Sequence, residues 1–209
     1  FGIENTGELE NTVGHLMMAE IEDTKLPSTR SYIKTKEGID FIPSSIYLSV
    51  VDAKLRLEMG AEKMLSGILE PLREKYDYIL IDTCPSLGTL TINALAAADD
   101  VIITVNPQLL AMMGMQDFLK TVRRINPKLE IAGILLTMCD TRTKLCKVLT
   151  EQVADSFHGQ IRIFGTKIPN TVKVGESIYY SMPVGQYSLK SSASIAYWEF
   201  TKELIADEG

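Results

Sequence analysis

Few residues in this 209-residue chain have types and spacings that could do chemistry. Asp82 is the most pointed. It closes the run Tyr78-Ile79-Leu80-Ile81-Asp82, in which four apolar residues would bury a strand and leave a carboxylate at its tip. A carboxylate at the mouth of a parallel sheet can hold Mg2+ through water beside a nucleotide phosphate. A loop or helix-capping aspartate would look the same, and the spacing alone does not choose. Thr83-Cys84-Pro85-Ser86-Leu87-Gly88 follows and is loop chemistry. A second group is cationic: Lys167, Lys173 and Lys190, with Arg162 nearby. Phosphate contacts need only cations gathered on one face, whereas scattered solvated lysines are the plainer account. The remaining candidates are weak. His15 and His158 are far apart and have no companions at ligand spacing, so neither suggests a metal. Cys84, Cys139 and Cys146 form no CxxC pair, and no histidine partner makes Cys139 a nucleophile. Small buried side chains account for Cys84 and Cys139. Met112, Met113 and Met115 around Gly114 read as adaptable core filling. Tyr179-Tyr180 leaves a partner surface open.

The elements that must position these residues follow from hydrophobic period. Leu9, Val13, Leu16 and Met17 recur at helical spacing behind a cap at Thr6. Ile39 to Ile42 reads as a short strand stopped by Pro43. Helices are expected over about Leu48–Met59 and Glu62–Glu74, divided by Gly60. After the strand at 78–82 come a buried helix at 89–98, a strand at Val101–Val105 closed by Asn106-Pro107, and a helical stripe from Met115 to Ile125. A strand at Ile131–Thr137, a helix face through Leu145, Val148, Leu149 and Val153, a strand region at Ile161–Ile168 and a closing helix from Ala193 to Leu204 complete the order. Strands apolar throughout, alternating with amphipathic helices, predict an α/β fold with a mostly parallel sheet covered on both faces. Function in such sheets lies at the carboxyl ends of the strands, where Asp82, Asn106 and Thr137–Asp140 fall.

Composition excludes several classes. Apolar residues at 45% and charged residues at 23% are globular values, and the length suits one domain over residues 1–209 with a single core. Twenty-one Lys and Arg against 27 Asp and Glu give a net charge of −6, so any DNA binding needs a local basic patch. No apolar run reaches a membrane-spanning length, no leader pattern opens the chain, and the cysteine usage suits a reducing cytoplasm.

Longer segments carry a resemblance. Residues 76–98, YDYILIDTCPSLGTLTINALAAA, closely resemble the Walker B and switch II region of the ParA/Soj family, deviant-Walker ATPases that segregate plasmids and chromosomes. IAGILLTMCDTRTKL (131–145) is similar to the family segment beside the nucleotide base. KIPNTVKVGES (167–177), MPVGQYSLKSSASIAY (182–197) and GIDFIPSS (38–45) match further family stretches in the family's order. The resemblance implies a three-layer P-loop NTPase fold, ATP or ADP with Mg2+ as cofactors, and an ATP-driven homodimer that coats nonspecific DNA. It also implies a ParB-like centromere-binding partner, no membrane, and a cytoplasmic, nucleoid-associated location. By position, Asp82 would be the Walker B carboxylate. Pro85, Ser86, Leu87 and Gly88 would form the loop that senses the γ-phosphate, and Met138, Pro169 and Asn170 would lie near the adenine. The family's basic positions are kept at Lys173 and Lys190 but lost at Asn170 and Ser192, and the family's asparagine is Thr171 here.

One family motif is missing. Nothing in the 209 residues matches G-x-x-x-x-G-K-[ST] or KGGVGKT. A P-loop works because successive backbone N–H groups and a lysine surround the phosphates, and no other segment here has that pattern. In the family this loop lies upstream of the point where Phe1 aligns. The expectation is therefore a chain that begins after the N-terminal strand–P-loop–helix, on the order of thirty or more residues in. Alone it would bind no nucleotide or bind it weakly, and the strand at 78–82 would lack a neighbour. Two other readings stand beside this one. A MinD-like cell-division ATPase usually needs a basic amphipathic tail, which KELIADEG, with one cation and three anions, is not. A nucleotide-free interaction module would account for the missing P-loop but not for the retained Asp82 loop.

Overall fold

The structure is a computed structural model that describes residues 2–3, 6–84, 86–107, 115–140, 142–157 and 159–206. Pro85, Met112, Met113, Gly114 and His158 lie outside the described residues. The chain falls into two compact units: residues 3–99 with 122–129, and residues 100–121 with 130 onward.

The first unit is mainly helical. α1 (Val13–Ile21) starts behind Thr12; the expected cap at Thr6 lies instead in a short 3-10 turn, Thr6–Glu8. The N-terminal N–H groups of a helix need acceptors from outside the ladder. His15 helps to fix this start: its Nδ1 accepts the Thr12 backbone N–H at 3.3 Å and lies 2.8 Å from Thr12 Oγ1, while its ring stacks on Tyr47. α2 (Thr29–Tyr32) leads into a hairpin of β1 (Lys34–Lys36) and β2 (Ile39–Phe41), which pair antiparallel. Glu37 and Gly38 both take positive φ, 56° and 80°, the geometry that a two-residue hairpin turn requires. α3 (Leu48–Leu55) is followed by Gly60 at φ 72°, which divides the helices as expected. The helix expected over 62–74 is broken into a 3-10 turn, α4 (Met64–Leu69) and a second 3-10 turn, Glu70–Leu72, where Pro71 cannot donate to the α ladder. α5 (Thr89–Ala97) closes the unit's core, in which Leu16, Val51, Leu55 and Ile68 are buried. The amide of buried Asn93 is satisfied on both sides, accepting from Leu65 N and donating to the Thr89 carbonyl, each at 3.1 Å.

Residues 78–82 are not a strand, and this corrects the sequence expectation. Among the described residues no strand pairs with them. Tyr78 and Ile79 are exposed, Leu80 is 89% exposed, and Ile81 alone of the four packs against the core. A strand exists only through its neighbours' hydrogen bonds, so an apolar run without a partner stays irregular whatever its propensity.

The second unit is the α/β portion. β3 (Asp100–Val105), β4 (Glu130–Cys139) and β5 (Ile163–Pro169) form a parallel sheet in the order β3-β4-β5. α6 (Met115–Ile125), which ends in the first unit, precedes β4, and α7 (Lys144–Phe157) links β4 to β5. Alternate strand residues serve the two faces. Ile103, Val105, Ile134 and Leu136 pack with Phe118 and Leu119 of α6 and with Cys146, Val153 and Phe157 of α7. Leu135, Phe164 and Ile168 pack with Ala196, Phe200 and Leu204 of the last helix. After β5 come α8 (Val172–Tyr179), capped by Thr171 Oγ1, then α9 (Val184–Tyr187) and α10 (Ser192–Ile205). Both faces of the parallel sheet are thus covered by helices, as the pattern predicted. Gly133 permits the closest approach in the unit: a Cβ there would stand 2.8 Å from Phe164 Cε2 and 3.1 Å from the Arg162 carbonyl oxygen.

Candidate functional site

The carboxyl ends of β3, β4 and β5 form one rim. The last ladder pair sets Cys139 opposite Pro169, and the Asn170 N–H donates to the Cys139 carbonyl at 3.0 Å. Met138, Pro169 and Asn170, expected from separate sequence segments to lie near a nucleotide base, are therefore brought together. Met138 takes a left-handed backbone (φ 54°) and is 62% exposed. The Asn106 side-chain amide reaches its sulfur at 3.8 Å from the end of β3.

Beyond the rim, the Asp140 carboxylate accepts from the Arg142 guanidinium at 2.9 and 3.1 Å and from the Arg142 N–H at 3.2 Å. Those bonds hold the Asp140 carboxyl below the usual carboxylate range. Thr143 Oγ1 donates to the Asp140 carbonyl and accepts from Cys146 N, tying the turn to the start of α7. Sequence reasoning missed Arg142; its i, i+2 spacing from Asp140 was the available signal. Burial, with Cys146 beside it, pushes the Cys139 thiol up to about 11, and the Lys167 cation opposes that rise. Cys139 and Cys146 are buried as small core side chains, but Cys84 is exposed, contrary to the expectation.

The residues expected beside magnesium and the γ-phosphate belong to the first unit. Asp82 is exposed and makes no hydrogen bond or ion pair among the described residues. Ser86 is exposed and anchored through its backbone: its carbonyl accepts from Thr91 Oγ1 at 2.5 Å. Gly88 is the residue before α5, and its carbonyl accepts the Ile92 N–H at 3.0 Å. Leu87 is exposed. The loop is thus fixed to the start of α5 while its carboxylate stays open.

Two of the four candidate cations are engaged. Lys173 Nζ donates to the Glu176 carboxylate at 2.7 Å and stands 5.8 Å from the Tyr187 ring centroid. Arg162 is 3.5 Å from the Glu203 carboxylate and 4.7 Å above the Phe164 ring. Lys167 on β5 and Lys190 in the turn before α10 form no ion pair among the described residues. Tyr179 and Tyr180 are exposed; their rings meet edge to face, and Tyr180 stacks on Tyr187.

The rim of the second unit and the Asp82 loop of the first each suit a different chemical group. An exposed thioether beside amide donors and acceptors suits the face and edge of a purine. A free carboxylate suits a metal held through water, and no group of three or more His, Cys, Asp or Glu side chains among the described residues forms a closed metal cage. The phosphates would need a P-loop, and the 209 residues contain no such motif.

Comparison with known proteins identifies the family. A family model described as an AAA domain (AAA_31) matches residues 1–132. The chromosome-partitioning ATPase Soj of Treponema pallidum is 38% identical over 172 residues, 80% of this chain and 67% of that protein. The chromosome partitioning protein ParA of Caulobacter vibrioides is 34% identical over 189 residues, 87% of this chain and 70% of that one. Among solved structures, cobyrinic acid a,c-diamide synthase from Mycobacterium smegmatis, with a bound ATP analog and magnesium, superposes with a TM-score of 0.76 at 30% identity. That superposition covers 96% of this chain and 74% of the synthase. Identity at this level over most of the chain, on an α/β fold, places it: the chain belongs to the ParA/Soj family of chromosome-partitioning ATPases.

Proposed function

We propose that residues 1–209 contribute to one ATPase domain the edge that receives adenine, at Met138, Pro169 and Asn170, and the Asp82 carboxylate that orients magnesium-bound water, and that without a phosphate cradle they are inactive by themselves. The single observation that carries this reading is the joint between the ends of β4 and β5, where the Asn170 N–H meets the Cys139 carbonyl. It fixes residues of two segments along one edge, so a planar base could lie against Met138 while polar groups of the edge read it. Magnesium, when bound, neutralises phosphate charge and lowers the barrier to attack on the γ-phosphate. Asp82 would accept hydrogen bonds from metal-bound water, and the loop from Pro85 to Gly88 would report on the phosphate, with Ser86 and Gly88 anchored on α5.

ATP would bridge two subunits, and the dimer would bind DNA nonspecifically in the cytoplasm, over the nucleoid. Lys190 and Lys167 would make the phosphate contacts, with Lys173 joining only when Glu176 releases it. A ParB-like protein at its DNA site would stimulate hydrolysis.

The test is ATP turnover by the protein as its gene encodes it. Asp82→Ala is expected to lower kcat about a hundredfold or more, and Asn170→Ala to raise KM with kcat nearly kept. Turnover unaffected by Asp82→Ala would overturn the reading in favour of an interaction module.

A further inference from the structure

Glu203, on α10, reaches back to a strand 37 and 38 residues away. Its Oε1 accepts the Gly165 N–H at 2.6 Å and its Oε2 accepts the Thr166 N–H at 3.0 Å. The Arg162 guanidinium stands 3.5 Å from Oε1. Successive N–H groups of a regular strand point to opposite sides, so one carboxylate cannot take two in a row. β5 is irregular here. Ile163 lies opposite Ile134 and Lys167 opposite Leu136, so four steps of β5 run beside two steps of β4. A bulge of this kind turns N–H groups away from the ladder, and each needs another acceptor. Glu203 supplies acceptors for two of them.

The bulge decides what stands at the rim. With regular pairing from Ile163, Gly165 would lie opposite Leu136 and Ile168 instead of Pro169 would come opposite Cys139, since a second shift between Leu136 and Cys139 takes back one of the two extra residues. Asn170 would then pass beyond the Cys139 carbonyl. At the level of Leu136 the slip is two residues and keeps each side chain on its own face, so inside-outside alternation alone does not forbid it there. A specific anchor must.

We propose that Glu203 is a positioning residue for the nucleotide rim: by holding the β5 bulge it sets the register that brings Pro169 and Asn170 to the end of β4. The inference rests on the reading of that rim as the edge that receives the base.

The experiment compares Glu203→Ala, Glu203→Gln and Asn170→Ala in the protein as its gene encodes it. It reads amide hydrogen exchange over residues 163–170, ADP affinity by calorimetry, and kcat. Losing charge-assisted bonds to two amides should speed exchange at Gly165 and Thr166 about tenfold or more in Glu203→Ala. ADP affinity should fall about three- to tenfold while kcat at saturating ATP stays within about twofold, as expected of lost positioning that affects binding alone. Glu203→Gln, which keeps one acceptor oxygen, should fall between, and it carries the test if the alanine variant does not fold. Unchanged exchange would overturn the clamp. Faster exchange with unchanged ADP affinity would overturn the positioning role. If Asn170→Ala also leaves ADP affinity unchanged, the rim is not the base site and both readings fail together; if it weakens ADP binding while Glu203→Ala does not, only the Glu203 inference fails.

Discussion

Two apolar runs of similar character meet different fates in this molecule. Val101-Ile102-Ile103-Thr104-Val105 is a strand, paired residue by residue with β4. Tyr78-Ile79-Leu80-Ile81 is as apolar and as well suited to a strand, yet among the described residues no strand runs beside it and it is largely exposed. The difference lies in neighbours, because β3 has β4 beside it and helices against its side chains. β-propensity states how well a residue fits a half-buried pleated surface; it cannot create that surface. The rim built on β3-β4-β5 is correspondingly fixed by the ladder, whereas the Asp82 loop is fixed only through its backbone anchor on α5.

Substitutions can break this contrast. Ile134 is fully buried at the centre of β4, and Ile134→Ala should cost about 2–5 kcal/mol in urea unfolding, whereas Leu80→Ala should change stability by less than about 0.5 kcal/mol. Equal losses would mean that residues 78–82 are buried in solution. A smaller contrast is expected between two glycines. Gly133→Ala should cost about 1–3 kcal/mol, since its Cβ would stand 3.1 Å from a carbonyl oxygen that cannot swing aside. At Gly88 the nearest atom to an added Cβ is Ser86 Oγ at 3.7 Å, an ordinary contact, so Gly88→Ala should shift the midpoint only slightly.

Ligand binding sharpens the same contrast. Because the 209 residues hold the rim but no P-loop motif, adenosine and Mg-ATP should bind this chain with dissociation constants within about tenfold of each other, both weaker than about 1 μM. Calorimetry showing micromolar, strongly phosphate-dependent binding would contradict it. The smallest effect is electrostatic. Arg142 lowers the Asp140 pKa, so the pair's contribution is present above the ordinary aspartate value and is lost as pH falls through the lowered one. An NMR titration should find the Asp140 midpoint returned toward the ordinary value in Arg142→Ala.

Much of the second unit was legible from its sequence. The strands at 101–105, 131–137 and 161–168 and the helices around Phe118, Val153 and Phe200 were readable because each has one clear period and one buried side. The rim residues were readable only as family segments, since nothing local to Met138 announces that Asn170 meets the next carbonyl. Other features depended on distant partners. β1 is three residues, Lys34-Thr35-Lys36, whose charge hides a strand that exists through its turn. The Glu203 contact joins points 37 and 38 residues apart, and Lys173 could not be seen as neutralised until Glu176 was found one helical turn on. Residues 78–82 were misread because a parallel strand's signature assumes neighbours that the signature itself does not encode.

On the proposed reading of the rim as the edge that receives the base, the left-handed backbone at Met138 has a consequence for redesign of nucleotide preference. Its side chain is the most open apolar contact on the edge, and so the natural place to alter selectivity, but the alphabet available there is narrow. Asn or Gly would tolerate that conformation, while Val, Ile and Thr would strain it. Libraries at position 138 should therefore yield folded proteins mainly among unbranched and short polar residues, and tuning toward bulkier shapes would have to move to Asn106 or Asn170.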